Sequence, residues 1–174
     1  MERRWIAGLA FGVAAITAPA SAMELTSPDV APGAALALPQ VYSQCGGGNV
    51  APALSWSGAP VATKSFAVTL FDPDAAGGWW HWIVYDIGAR VHRLARGAMP
   101  LPDGAQQGEN DFGAMAYGGA CPPPGSGVHH YRFTVWALDT PALPFDDPPK
   151  GVTIGPYLEA HALARATLTA TYER

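Results

Sequence analysis

Basic side chains are scarce in this sequence, and charged residues of either sign make up only 14% of it. The 174 residues include 10 Lys and Arg against 14 Asp and Glu. A chain with net negative charge lacks the electrostatic surface that binds nucleic acid. It also has no polybasic segment that would hold it on an anionic membrane. We therefore expect no nucleic acid partner and no stable membrane insertion.

The spacings that define common metal and nucleophile sites are missing as well. Cys-x-x-Cys, His-x-x-x-His and His-Glu-x-x-His do not occur, and Asp-Pro-Asp lacks the ligand series of a calcium loop. There is no Gly-x-Ser-x-Gly elbow, and Ser126 in PPPGSG has no sign of an activating base in the sequence around it. These absences predict a protein without a metal or cofactor that is not an enzyme.

No apolar run reaches the roughly 20 residues that a membrane-spanning helix needs. The N-terminus instead reads MERRWIAGLAFGVAAITAPASA, with two arginines, an apolar run from Trp5 to Ile16 and the small-residue triplet Ala20-Ser21-Ala22. This pattern is typical of a secretory signal peptide. We predict a signal peptide over residues 1–22, cleavage near Ala22, and a periplasmic or secreted protein.

The remaining residues, 23–174, fit one domain with its own core. Cys45 and Cys121 are the only cysteines, and two thiols of an exported domain can pair in an oxidising compartment. A reactive thiolate would need a basic neighbour or a Cys-x-x-Cys spacing. We therefore favour a disulfide, provided that the two α-carbons lie within bonding distance.

Glycine and proline interrupt the sequence often, with 20 Gly and 17 Pro, which favours short strands between turns. Apolar residues alternate along 65–71, 82–87 and 131–138, and again along 166–172. One helix is predicted to begin near Pro156. The pattern predicts a mainly β protein, an antiparallel β-sandwich with a short helix near the C-terminus.

Four polar side chains lie at predicted strand edges beside glycine or proline: Asp72, Asp74, His81 and His129. Strand ends meet at the rims of a sandwich, where loops form binding sites. Two aspartates around one proline often only shape their own turn, although paired carboxylates also serve glycoside hydrolysis. An anion pocket accounts for more of these residues, because imidazoles and glycine backbones donate N–H groups while a carboxylate orients an imidazole.

The stretch GGWWHWIVYD places three tryptophans around His81. Core packing explains some of these indoles, while Trp79 or Trp80 could form the wall of a pocket. Because side chains alternate along a strand, His81 and Trp82 are expected on opposite faces.

Five segments of the sequence occur together in a known order. Along the chain they are NVAPALSW at 49–56, DPDA at 72–75 followed by His81-Trp82, GENDFG at 108–113, YGGACPPPGSG at 117–127 and HHYRFTVWALD at 129–139. In this order they resemble the phosphatidylethanolamine-binding protein family, in its bacterial Raf-kinase-inhibitor-like branch. Ala76 and Ala120 stand where that family usually has proline, which leaves both turns less restricted.

The resemblance implies an antiparallel β-sandwich with a small pocket at one end that takes phosphate or a phosphorylated head group. Carried over position by position, the pocket would contain Asp72, Asp74, Trp79, His81, Gly119, Ala120, His129 and Tyr131. The favoured function is that of an exported, non-enzymatic binding protein. The alternatives are an inhibitor of a serine protease or kinase through protein contact, as family members are described, and a hydrolase using the aspartates and histidines.

Overall fold

Two antiparallel sheets and one helix make up residues 22–174, the part of the chain that the computed structural model describes. The predicted signal peptide lies outside these residues except for Ala22. The strands are β1 Glu24–Thr26, β2 Leu54–Ser57, β3 Ser65–Asp72, β4 Trp79–Gly88, β5 Arg93–Leu94, β6 Gln106–Gln107, β7 His129–Leu138 and β8 Ala162–Tyr172, and α1 spans Gly151–His161.

The strands pair in two groups. The smaller sheet has the order β1-β2-β5 and the larger has the order β6-β4-β3-β7-β8, and the named strands of each pair antiparallel. Short 3-10 turns at Leu38–Gln40 and Ser43–Cys45 lie in the connection between β1 and β2. The predicted mainly β fold with a short helix near the C-terminus is confirmed. Within residues 22–174, no helix is long and apolar enough to cross a membrane.

The larger sheet is covered on both faces. On its inner face, Phe66, Val68 and Leu70 of β3 pack in one core with residues of the smaller sheet such as Trp56. On its outer face, a second core joins residues of β3, β4 and β7 to α1, and includes Ala67, Ile83, Tyr85, Trp136, Ile154 and Leu158. The central strands therefore bury the side chains on both faces of the sheet, which explains the nearly continuous apolar sequence of β3.

The helix begins five residues before the predicted start. Pro156 lies inside α1, and the helix opens at Gly151 after extended Lys150. Tertiary packing accounts for this start, because a Cβ on Gly151 would lie 2.0 Å from the ring of Trp80. Only glycine lets the first turn approach the sheet so closely. The final strand also begins earlier than predicted, at Ala162, directly after the helix.

A β-bulge interrupts β4 at His81. Leu70 is opposite Trp82 and Phe71 is opposite Trp80, so His81 is an extra residue without a counterpart on β3. A bulge of this kind re-aims the side chains around it. Trp80 accordingly packs with the outer core, whereas Trp82 belongs to the inner core although it is only two residues away.

The bulge corrects the predicted faces of His81 and Trp82. The His81 ring makes an edge contact with Tyr131, a member of the inner core, at 5.2 Å between ring centroids. Trp82 also lies on that side, so the two neighbours share a face instead of alternating. Strict alternation fails here because the unpaired residue breaks the period of two.

Trp82 tests the inner core. Its side chain is fully buried, contacts Tyr117 edge-on, and donates from Nε1 to Gln107 Oε1 at 3.0 Å. We expect Trp82→Ala to lower the free energy of unfolding by about 3 to 5 kcal/mol, because the cavity cannot be refilled. Denaturant unfolding measures this loss. Val61→Ala, at a fully exposed position, is the control and should change stability by less than about 0.5 kcal/mol. A loss below about 1 kcal/mol for Trp82→Ala would contradict the assignment.

Candidate functional site

One end of the larger sheet carries a cavity of about 570 Å³. Strand β3 ends there at Asp72, β4 begins there at Trp79, and β7 begins there at His129. Because β3 runs antiparallel to both neighbours, these three strand ends lie at the same end of the sheet. Asp72 is directly opposite Trp79. Side chains far apart in sequence therefore meet at one site.

Six of the eight residues predicted for the site line this cavity, namely Asp72, Asp74, Trp79, His81, His129 and Tyr131. The lining also contains residues that the sequence did not single out for binding, namely Ala75, Ala76, Phe112, Cys121, Pro122, Pro123 and Ser126.

Asp72 connects the loop after β3 to β7. Its Oδ1 accepts the backbone N–H groups of Asp74 and Ala75 at 2.9 and 3.3 Å. Its Oδ2 lies 2.7 Å from Nδ1 of His129. The carboxylate therefore both shapes its own turn and orients an imidazole. Asp72 is 3% exposed, so this arrangement is held inside the protein.

His129 is held at both ring nitrogens. Nδ1 faces the Asp72 carboxylate, and Nε2 lies 3.0 Å from Oγ of Ser126. An ionised carboxylate accepts and does not donate, so Nδ1 carries a proton. In the neutral ring Nε2 is then the free acceptor, and it faces the serine hydroxyl.

Asp74 points to the next residue of β7. Its Oδ2 accepts the backbone N–H of His130 at 2.7 Å and pairs with Nδ1 of the same residue at 2.9 Å. The side-chain hydrogen bond with His130 holds the pKa of Asp74 below its usual value. About 39% of the Asp74 side chain is exposed, which leaves a negative charge at the rim of the cavity.

His81 is buried and neutral. Its Nδ1 lies 2.9 Å from the carbonyl oxygen of Gly118, which only accepts, so Nδ1 donates. Burial removes the ring from water and lowers the pKa of His81 to about 4, although the carbonyl of Gly118 opposes this shift. At neutral pH the ring therefore offers an unprotonated Nε2 and no positive charge.

Two buried hydrogen-bonding groups of the cavity have no partner within residues 22–174. They are Nε1 of Trp79 and the hydroxyl of Tyr131. Burial raises the pKa of Tyr131, so its hydroxyl keeps its proton and can donate. Buried polar groups are nearly always hydrogen-bonded in native proteins. Trp79 and Tyr131 both line the cavity, so their donors are candidates for contact with polar atoms of a ligand.

Gly119 and Ala120, which the resemblance placed in the pocket, are not among the residues that line the cavity. The N–H of Gly119 donates to Asn49 Oδ1 at 2.7 Å, and the carbonyl of Ala120 accepts from Tyr42 at 3.0 Å. A Cβ on Gly119 would lie 2.3 Å from the carbonyl oxygen of Gln40. These two residues pack the loop against the 38–45 segment, and the following residues, Cys121 to Pro123, form the wall.

Cys45 and Cys121 are joined by a disulfide with α-carbons 5.7 Å apart. Their separation of 76 residues means that the bond closes a long loop. Loops of this length are associated with about 4 kcal/mol of stabilisation in the chain-entropy treatment. The disulfide connects the 3-10 turn at Ser43–Cys45 to the wall of the cavity.

Among the lining residues that the sequence did not single out for binding, Phe112 and Ser126 contact predicted site residues. Phe112 makes edge contacts with Trp79 and His81. Its loop is held by Asn110, whose Oδ1 accepts the N–H groups of Phe112 and Ala114. No sequence spacing links this loop to the strand ends. Ser126 lies three residues before His129 in a Gly-Ser-Gly loop, but this spacing alone does not predict that the two side chains meet.

Among residues 22–174, those that line the cavity include two aspartates but no lysine or arginine. Within residues 22–174, no three His, Cys, Asp or Glu side chains form a group that could hold a metal ion. The donors that the lining offers a ligand are therefore imidazole, indole and hydroxyl groups, and two carboxylates lie beside them. Such a site suits a ligand that brings a positive charge of its own.

The buried His81 makes the stability of the protein depend on pH. The folded pKa of about 4 lies below the usual 6.5, so between these values the unfolded chain binds a proton that the folded chain does not. The free energy of unfolding should therefore fall as pH falls from about 6.5 to 4, by about 3 kcal/mol from this residue. Urea unfolding of wild type and His81→Gln at several pH values measures it. A difference between the two proteins that stays constant across this window would contradict the assignment.

The sequence and the structure match known proteins over most of their length. A family model described as phosphatidylethanolamine-binding protein matches residues 26–173. YbcL of Escherichia coli is 47% identical over 166 residues, covering 90% of this chain and 91% of YbcL. YbhB of the same organism is 40% identical over 158 residues, covering 86% and 99%. LppC of Mycobacterium tuberculosis, which carries the name of a lipoprotein, is 38% identical over 161 residues, covering 90% and 77%.

The crystal structure of Escherichia coli YbcL superposes with a TM-score of 0.85 at 45% identity, covering 88% of this chain and 99% of that one. It is described as a member of the mammalian PEBP family. Sequence, fold and family model therefore agree, and this chain belongs to the phosphatidylethanolamine-binding protein family.

Proposed function

We propose that this chain is an exported binding protein whose cavity holds a small phosphorylated ligand that also carries an amine, with phosphoethanolamine as the model compound. The observation that carries the proposal is the pair of unpartnered groups, Trp79 Nε1 and Tyr131 Oη, in one cavity. Both are donors, and phosphate oxygens are strong acceptors. A phosphoryl group there would satisfy two buried polar atoms at once.

The charge of the cavity argues against an isolated phosphate dianion. Asp72 and Asp74 line the cavity, and among residues 22–174 no lysine or arginine lines it. An ammonium group on the ligand removes this repulsion, because it can approach the half-exposed Asp74 carboxylate at the rim. His81 is neutral, and its unprotonated Nε2 can accept a hydrogen bond from the ammonium or from a singly protonated phosphate.

The family supports the class of ligand, since its description is that of a phosphatidylethanolamine-binding protein. Export is supported by the N-terminal signal-peptide pattern and by the lipoprotein name of the relative LppC. We infer that cleavage near Ala22 releases the domain. Inhibition of a serine protease or kinase remains a prediction from the resemblance alone.

Titration calorimetry tests the ligand and its donors. We expect phosphoethanolamine to bind more tightly than inorganic phosphate, and ethanolamine alone to bind weakly. Trp79→Phe and Tyr131→Phe each remove one donor and should weaken phosphoethanolamine binding about tenfold, since hydrogen bonds to charged groups contribute roughly 1.5 to 3 kcal/mol. Neither change removes a protein hydrogen bond within residues 22–174, so melting temperatures should change little.

Tyr157→Phe is the matched control, because Tyr157 packs against the outer core and does not line this cavity. It should leave the affinity unchanged. Equal affinity of wild type and both donor variants would overturn the proposed binding mode.

Ligand binding should also depend on pH. A phosphate monoester loses its second proton near pH 6, and the resulting dianion faces two carboxylates without a proton to share with His81. We expect the affinity for phosphoethanolamine to weaken as pH rises from 5.5 to 8. The cause is the protonation of the ligand, since His81 is already neutral across this range. Calorimetry at fixed ionic strength gives the profile, and an affinity that rises with pH would be inconsistent with this arrangement.

A further inference from the structure

We propose that Ser126, His129 and Asp72 form a nucleophile, a general base and a positioning carboxylate, and that the cavity hydrolyses small esters. Ser126 Oγ lies 3.0 Å from His129 Nε2, and His129 Nδ1 lies 2.7 Å from Asp72 Oδ2. All three residues line the cavity. These are the contacts by which a base removes the proton of a serine hydroxyl while a carboxylate holds the ring. This activity goes beyond the proposed binding function and does not require it.

Asp72 is well placed to position the imidazole. Its other oxygen accepts two backbone N–H groups, from Asp74 and Ala75. The carboxylate is therefore anchored on one side and free to hold Nδ1–H of His129 on the other. With the proton of the neutral ring on Nδ1, Nε2 is left to take the serine proton. The negative charge of Asp72 stabilises the imidazolium that forms.

The loop presents Ser126 on a tight turn. Gly125 and Gly127 on either side have φ values of 76° and 89°, a backbone conformation that favours glycine. The Ser126 N–H donates to the carbonyl of Pro123 at 3.1 Å, and Gly125 N–H donates to the carbonyl oxygen of Arg174 at 2.9 Å. Ser126 is exposed, so an ester entering the cavity can reach its hydroxyl.

The Ser126 hydroxyl has two acceptors. Oγ lies 2.8 Å from the Pro123 carbonyl as well as 3.0 Å from His129 Nε2. With a charged imidazolium, Nε2–H donates to Oγ and the hydroxyl donates to Pro123. With a neutral ring, the hydroxyl can turn to Nε2, which is the reactive arrangement.

The proposed ester hydrolysis needs only the ester, water and these side chains. Oγ attacks the ester carbonyl carbon while its proton passes to His129 Nε2, and the bond to the leaving alkoxide breaks as that oxygen takes the proton. Water then attacks the acyl-serine, gives one proton to Nε2, and releases the acid as Oγ regains a proton. The tetrahedral oxyanion needs donors. Trp79 and Tyr131 line the same cavity, and their Nε1 and Oη groups have no hydrogen-bond partner within residues 22–174.

A fluorophosphonate probe tests the nucleophile directly. Oγ attacks phosphorus, fluoride leaves, and the hydroxyl proton passes to His129, which leaves a stable adduct. We expect intact mass and peptide mapping of wild type to place one adduct on Ser126, and Ser126→Ala to abolish it. Wild type should also release p-nitrophenolate from p-nitrophenyl acetate faster than Ser126→Ala.

Matched variants test the base. His129→Asn keeps an amide donor toward Asp72 but removes Nε2, and should slow labelling by at least about 100-fold, as expected for loss of a general base. His92→Asn changes an exposed histidine that does not line the cavity, and Ser57→Ala removes an exposed serine of β2. Both controls should label at the wild-type rate.

The role of Asp72 is tested by the pH profile of labelling. Asp72→Asn removes the charge that favours the imidazolium, so the acid limb of the rate profile should move to lower pH and the rate should fall. A purely structural role would lower the melting temperature without moving this limb.

The proposal is overturned if wild type gives no adduct at Ser126, or if His129→Asn labels as fast as wild type while folded by circular dichroism. Phosphoethanolamine titration of Ser126→Ala separates the two functions. Retained binding with lost labelling supports both, whereas labelling in a wild type that does not bind the ligand supports the activity alone.

Discussion

The carboxylate of Asp72 is the interaction on which the site depends. It is buried at the end of the central strand β3, where one oxygen holds the following loop and the other holds the first residue of β7. A buried charge is costly unless its hydrogen-bonding capacity is filled. Here three N–H donors fill it, and as a consequence the His129 ring is fixed in one orientation and tautomer. The loop after β3 and the ring of His129 are thereby positioned by one side chain.

The bulge at His81 allows one strand, β4, to contribute side chains to two cores and to the cavity. Trp80 must fill the outer core beside Gly151, and Trp82 must fill the inner core. A regular strand would place both on one face. The extra residue separates them, and His81 itself is brought to the cavity, where burial keeps it uncharged. Packing and function are therefore coupled at this bulge, one of two register shifts between β3 and β4.

Within residues 22–174, no lysine or arginine lines the cavity, and its chemistry follows from this. An anion held there depends on neutral donors such as Trp79 and Tyr131, and on whatever positive charge the ligand itself brings. The same neutral donors, beside an ordered Ser126 and His129 pair, are suited to a developing oxyanion. Recognition of a phosphoryl group and reaction with an ester use one tetrahedral geometry, so the two proposals describe uses of the same polar surface.

The sequence by itself determined the mainly β fold, the family and the segments that meet at the cavity, because alternation, turn residues and ordered motifs are local properties of the chain. Asp72, His81 and His129 could be predicted because each lies next to a strand end. Tertiary structure alone decided which of them touch. The helix start at Gly151 depends on the distant Trp80. The shared face of His81 and Trp82 depends on how β4 pairs with β3. Gly119 and Ala120 lie outside the cavity because they pack against the 38–45 segment. The contact of Ser126 with His129 also required the folded turn, since a spacing of three residues in a loop does not by itself bring two side chains within hydrogen-bonding distance.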